Sequence, residues 1–178
     1  MIGYQEPLDH SGGSGVSLPP IPFAPEPGRP LPDVLADVTN RLQAKFAIDR
    51  GVLLVKEDRG TRLIAIASIR RGREKRRLSL RLPEVSSLFA RVADGGLIFT
   101  DEYYGLFSGN TFERNLLIDD ATQSFVIVPL KHDGRVLGLL GFSSDQPTAF
   151  AALHDNRYAP LWAELAGQIS RDTAPSAV

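Results

Sequence analysis

The residues best suited to chemistry lie in one segment, 102–123, EYYGLFSGNTFERNLLIDDATQ. Tyr103, Tyr104, Phe107 and Phe112, with Phe99 just upstream, supply aromatic walls; Asp101, Asn110, Thr111, Arg114 and Asn115 supply directed polar groups beside them. Apolar walls with a few convergent polar groups are what a small-molecule site requires. A guanidinium is the natural partner of a carboxylate, nitrate or phosphate. The chemistry indicated is recognition of a small polar or anionic ligand, with Arg114 as its charge partner. A blander reading uses the same residues: a loop that closes a sheet with its aromatics and leaves Arg114 in solvent.

The other candidates are weaker. His10, His132 and His154 are the only histidines, and no two share an element at metal-ligand spacing, so no metal and no cofactor is expected. The absence of cysteine removes disulfides, thiolate zinc sites, cysteine nucleophiles and thioether-linked cofactors. No nucleophile elbow, paired-acid motif or phosphate loop is found, and the expectation is that the chain is not an enzyme. The run RRGREKRRLSLR, residues 70–81, gathers Arg70, Arg71, Arg73, Lys75, Arg76, Arg77 and Arg81 and reads as a solvated hairpin connection or a protein-partner surface. It lacks interleaved aromatics, and 20 basic against 21 acidic residues leave a net charge of −1, so nucleic acid is not an expected partner.

These residues must be positioned by a mixed set of elements. Residues 1–30 hold SGGSG and a proline-rich run and read as a flexible arm or linker. Leu31, Val34, Leu35, Val38 and Leu42 recur at helical spacing, and Asp33 and Asp37 sit in the early turns where the helix dipole favours acid. GVLLVK (51–56) and LIAIASI (63–69) read as a hairpin, LSLRL (78–82) as a short strand, and Pro83 as the start of a helix that Gly95 and Gly96 end. LIFTD (97–101) returns as a strand, and 102–123 reads as a long loop with a turn or two of helix. SFVIVPLKHDGRVLGLLGF (124–142) is a hairpin turning on Asp133-Gly134, and from about Asn156 a last helix aligns Tyr158, Leu161, Trp162, Leu165 and Ile169. Gly138 and Gly141 weaken a strand that would pack better without them, so something presses on the backbone there, a helix or a ligand.

This order of elements, together with VIVPLKHDGRVLGLLGF, VADGGLIFTDE and Phe150 before the final helix, resembles the GAF domain, a small-molecule sensory relative of the PAS fold. The resemblance covers roughly 31–171, leaving 172–178 as a short tail. It implies an α+β fold: a central antiparallel sheet with the terminal helices on one face and a loop-covered pocket on the other. It also implies a sensory or regulatory module signalling through a partner, the alternative being a ligand-free dimerisation or interaction scaffold; a cytoplasmic location is expected from the lack of a run of ~18 apolar residues and of a signal-peptide pattern. Cysteine-dependent members of the family, bilin-binding and methionine-sulfoxide-reducing, are not expected. Helices that pair across a two-fold axis in the family point to a homodimer through Val38, Leu42, Phe46, Tyr158, Trp162, Leu165 and Ile169, whose aromatic bulk exceeds what one sheet face is expected to cover.

Overall fold

The computed structural model describes residues 28–57, 61–71, 74–102, 105 and 107–173. The expected arm over 1–27 and the tail beyond Thr173 lie outside the described residues. Helix α1 (Leu31–Leu42) buries Val34, Leu35, Val38 and Leu42, with Asp33 in its first turn and Arg41 in its last. Strands β1 (Arg50–Lys56), β2 (Leu63–Arg70) and β3 (Glu74–Arg81) follow, then α2 (Leu88–Gly95) and the short β4 (Phe99–Asp101). Helix α3 (Thr111–Leu117) precedes the long hairpin of β5 (Ser124–His132) and β6 (Arg135–Ser144), and α4 (Ala159–Thr173) closes the described chain. No described helix is long and apolar enough to cross a membrane.

The six strands form one sheet in the order β3-β2-β1-β6-β5-β4, every neighbour antiparallel. Asp133 and Gly134 make the β5–β6 turn with φ of 49° and 75°, the paired positive values whose twist matches the flanking strands. Alternation of side chains divides the core into two layers. Leu53, Val126, Val128, Leu140 and Phe142 meet α1 and α4 on one face; Val52, Leu54, Phe125, Ile127 and Leu139 meet α2 and α3 on the other.

Three expectations change. The basic run is not a loop: β3 starts at Glu74, because an edge strand exposed along its length needs no apolar alternation to pair its main chain with β2. Helix α2 starts at Leu88 rather than at Pro83, since Ser87 caps it by accepting from the Ala90 N–H at 2.8 Å. The seven residues assigned to a dimer interface are the core of one subunit. Even Trp162 keeps only 7% exposure, and the aromatic bulk is absorbed internally. Phe46 packs edge-on to Tyr158 at 5.5 Å between ring centres, and Tyr158 lies 6.4 Å from Trp162. A two-fold assembly of these helices would have to use exposed positions such as Ala163 and Arg171.

Gly138 and Gly141 face opposite layers. A Cβ at Gly138 would lie 2.3 Å from the Leu54 carbonyl oxygen and 3.3 Å from Ile169 of α4; one at Gly141 would lie 3.0 Å from Val52 and 3.2 Å from Leu117 of α3. Both glycines therefore admit neighbouring backbone and helix. Gly138→Ala is expected to cost about 1–3 kcal/mol by overpacking, whereas Gly95→Ala, with nothing within 4 Å of the added methyl, is expected to be neutral or stabilising in the helix. Urea denaturation of the two variants checks the contrast; equal midpoints would remove the close-approach argument.

Candidate functional site

Segment 102–123 is organised by a carboxylate. Asn110 caps α3 by accepting from the Glu113 N–H at 3.1 Å, and the Glu113 carboxylate accepts from the Asn110 N–H at 3.3 Å, a reciprocal capping box. The same carboxylate is fully buried and accepts from the Ser87 hydroxyl, the Leu88 N–H at 2.8 Å and the Phe89 N–H at 3.2 Å. One anion thus completes the N-termini of α2 and α3 together, where both dipoles favour negative charge.

Most of the expected ligand residues then have structural work. Phe99 and Phe107 pack on Phe125 with ring centres 5.8 and 5.5 Å apart, closing the sheet end. The Asp101 carboxylate accepts from the Gly105 N–H at 3.3 Å. Asn110 caps α3 and donates to the Pro83 carbonyl at 3.2 Å. Thr111 and Arg114 are exposed, and Tyr103 and Tyr104 lie outside the described residues. The sheet face beneath is filled by Leu54, Leu88, Phe89, Leu117 and Leu139. Among the described ones of these nine residues, Asn115 lines a concave polar surface.

That surface is a groove of about 180 Å³ between α3 and the outer strands, lined by Asn115 and Leu116 on one side and by Arg50, Ser68, Arg70, Glu74, Arg76 and Leu78 on the other. It adjoins a cleft of about 580 Å³ through Arg50, Arg70 and Glu74, with Asp49, Arg71, Asp119 and Asp145 in its wall. Arg50 is the junction. Its side chain is 12% exposed; one guanidinium nitrogen pairs with the Asp119 carboxylate at 2.9 Å and another donates to the Ile118 carbonyl at 3.4 Å. Its Nε is buried with no hydrogen-bond partner among the described residues, which leaves part of the guanidinium's donor capacity unused at a desolvation cost. At the groove mouth Glu74 pairs with Arg76, which holds the Glu74 carboxyl below its usual value.

Residue typing missed Arg50, Arg70 and Glu113. The pattern Asn110-x-x-Glu113 is a legible capping box, but nothing local announces that its carboxylate also reaches α2. Arg50 reads only as a charge at the head of an apolar run, because its partner Asp119 is distant in sequence.

The GAF domain family model matches residues 31–171. The chain belongs to the GAF family. A comparison with curated proteins returned no match. Among solved structures, the GAF domain of a phosphoenolpyruvate-protein phosphotransferase from Coxiella burnetii is 21% identical, with 84% of this chain and 88% of that one covered at a TM-score of 0.63. The GAF domain of a two-component sensor histidine kinase from Bacillus halodurans is 17% identical over 80% of this chain and 95% of that one, TM-score 0.62. The type II free methionine-R-sulfoxide reductase from Thermoplasma acidophilum is also 17% identical, over 78% and 90%, TM-score 0.57. This last likeness corrects the expectation that the chain is not an enzyme, because a catalyst carries the same GAF architecture.

Two outcomes test the site's framework. Glu113→Ala leaves donors of α2 and α3 buried without an acceptor and is expected to cost at least ~2 kcal/mol, read from the urea midpoint; a change within error would deny the carboxylate its role. At Asp119, burial alone would raise the carboxyl, but the Arg50 guanidinium, the Ala121 N–H and the Thr122 hydroxyl outweigh it and hold the group below its ordinary value. A folded-state pKa below the unfolded one gives stability fully present above roughly pH 4 and lost as pH falls through the folded value. Asp119→Asn is therefore expected to flatten the acid limb of melting temperature against pH, and an unaltered limb would contradict the pairing with Arg50.

Proposed function

We propose that this GAF domain is a cytoplasmic sensory module that binds a small anion in the groove between α3 and strands β1–β3 and passes the event to a partner. The observation that carries the proposal is Arg50, a largely buried guanidinium with an unpartnered Nε beside Arg70. A carboxylate, nitrate or phosphate supplies the missing acceptor and matches the planar donor set of arginine. The groove's size suits a small anion rather than a nucleotide. Ligand entry at Arg50 competes with Asp119 and the Ile118 carbonyl, which gives binding a route into the segment joining α3 to β5.

A thermal-shift series with nitrate, phosphate, dicarboxylates and nucleotides tests this. A small anion is expected to stabilise the chain by mass action, about 2.7 kcal/mol at one hundred times the dissociation constant. Arg50→Gln and Arg70→Ala are expected to abolish the shift and Arg114→Ala to leave it. A shift that survives the first two variants places the anion elsewhere. A flat series favours the second reading, a ligand-free scaffold, whose support is the packed face of Leu54, Phe89 and Leu117.

A further inference from the structure

The free edge of the sheet carries a feature that the groove does not use. Among the described residues β3 pairs with β2 alone and ends the strand order, so its outer row of main-chain donors and acceptors meets no described strand. It is eight residues long, where the mean strand is about 5–6 and edge strands are usually kept short. Charge is what guards it: Lys75, Arg76, Arg77 and Arg81 stand against Glu74 alone. Lys75, Arg76 and Arg81 are answered by Asp33, Glu74 and Glu57; Arg77 has no ion pair among the described residues. Beside the strand on the α1 side lies a hollow of about 630 Å³ lined by Leu31, Ile64 and Ile66 together with Arg29, Arg77 and Asp172, while Leu78 packs on the α2–α3 layer and Leu80 beside it on that face is exposed.

We propose that this edge accepts one further strand from another protein, an extended segment in which acidic and apolar residues alternate. Main-chain pairing along β3 supplies register and most of the affinity, and the period of two supplies the selectivity. Acidic side chains of the added strand fall on the α1 face, beside Lys75, Arg77 and Arg81, and apolar ones fall on the opposite face, beside Leu78 and Leu80. A guard against aggregation needs the charges but not Leu78 and Leu80 on the alternate face; the two together fit a strand of defined pattern. A second copy of this chain is the wrong occupant, because pairing β3 with itself sets arginine against arginine, and like charges facing across strands are destabilising.

The test is fluorescence anisotropy of a short, labelled, end-blocked peptide alternating glutamate and valine, titrated with the full chain at low salt. Saturable binding that weakens with salt is expected. The same peptide with a central proline, which cannot complete the ladder, is expected to bind at least roughly tenfold more weakly. Arg76→Glu combined with Arg77→Glu is expected to weaken binding at least about tenfold; both residues are exposed, and circular dichroism verifies that the variant folds. Arg50→Gln, which removes the anion groove, and Arg114→Glu, which makes an equal charge change elsewhere, are expected to leave peptide binding intact. Absence of binding, equal binding of the proline peptide, or equal loss in Arg114→Glu would overturn the proposal. So would light scattering that shows the chain dimeric and the Arg76/Arg77 variant monomeric.

Discussion

A buried carboxylate must be solvated by the protein or not be charged at all, and at Glu113 that requirement arranges the inner layer of the fold. Its acceptors take the Ser87 hydroxyl and N–H groups from α2, and it closes the capping box of α3. Moving either helix by a turn would strand donors without an acceptor. With α3 fixed in this way, Leu117 comes down on Gly141, and Asn115 and Leu116 are set opposite the outer strands. The groove is thus a consequence of how one anion is satisfied, even though Glu113 does not line it.

The two glycines of β6 express a second constraint, thickness. A two-layer core closes only where helix and sheet approach closely, and the hairpin meets α4 through Gly138 and α3 through Gly141, on opposite faces. The opening for a ligand consequently moves away from the sheet centre. Phe89, Leu117 and Leu139 occupy the space over β5, β6 and β1, and a groove persists where α3 stops short of β2 and β3. What remains there is lined by arginines, because the strand ends carry charge where the centre carries aliphatic side chains.

Sequence patterning read the elements that bury one face: α1, α4, the β1–β2 hairpin and the Asp133-Gly134 turn all follow from period and turn chemistry. It failed where burial gives no period. β3 alternates only toward its end, at Leu78 and Leu80, so its charged first half was read as a connection; α3 is seven residues long, too short for a helical stripe. The start of α2 depends on a carboxylate 26 residues ahead of Ser87, which no local window contains. Trp162, Tyr158 and Phe46 looked surplus to one subunit because the stripe on a helix shows how much apolar surface exists and not how much the partner face can cover. Phe150 and Leu153, in the connector before α4, belong to that covering face. Arg114 stood out by type, yet type does not say which way a short helix turns its charges; Arg50 was overlooked because its significance lies in what it fails to bond.

The position of Arg50 also limits how binding can be felt elsewhere. It is the first residue of β1, paired in register with Arg70 of β2 and Ser143 of β6, and its guanidinium holds the chain leaving α3 at Ile118 and Asp119. An anion that draws the guanidinium into the groove would weaken its hold on that segment while leaving the backbone of β1 pinned on both sides. The sheet is therefore the fixed frame and the α3–β5 connection the part with freedom to respond. Asp119 does not become an idle charge when released: the Ala121 N–H and the Thr122 hydroxyl still donate to it, so the segment exchanges one cationic anchor for a local turn. A two-state element of this kind needs differential contacts in each state, and under the proposed function they would be Arg50 to Asp119 in the one and Arg50 to the anion in the other.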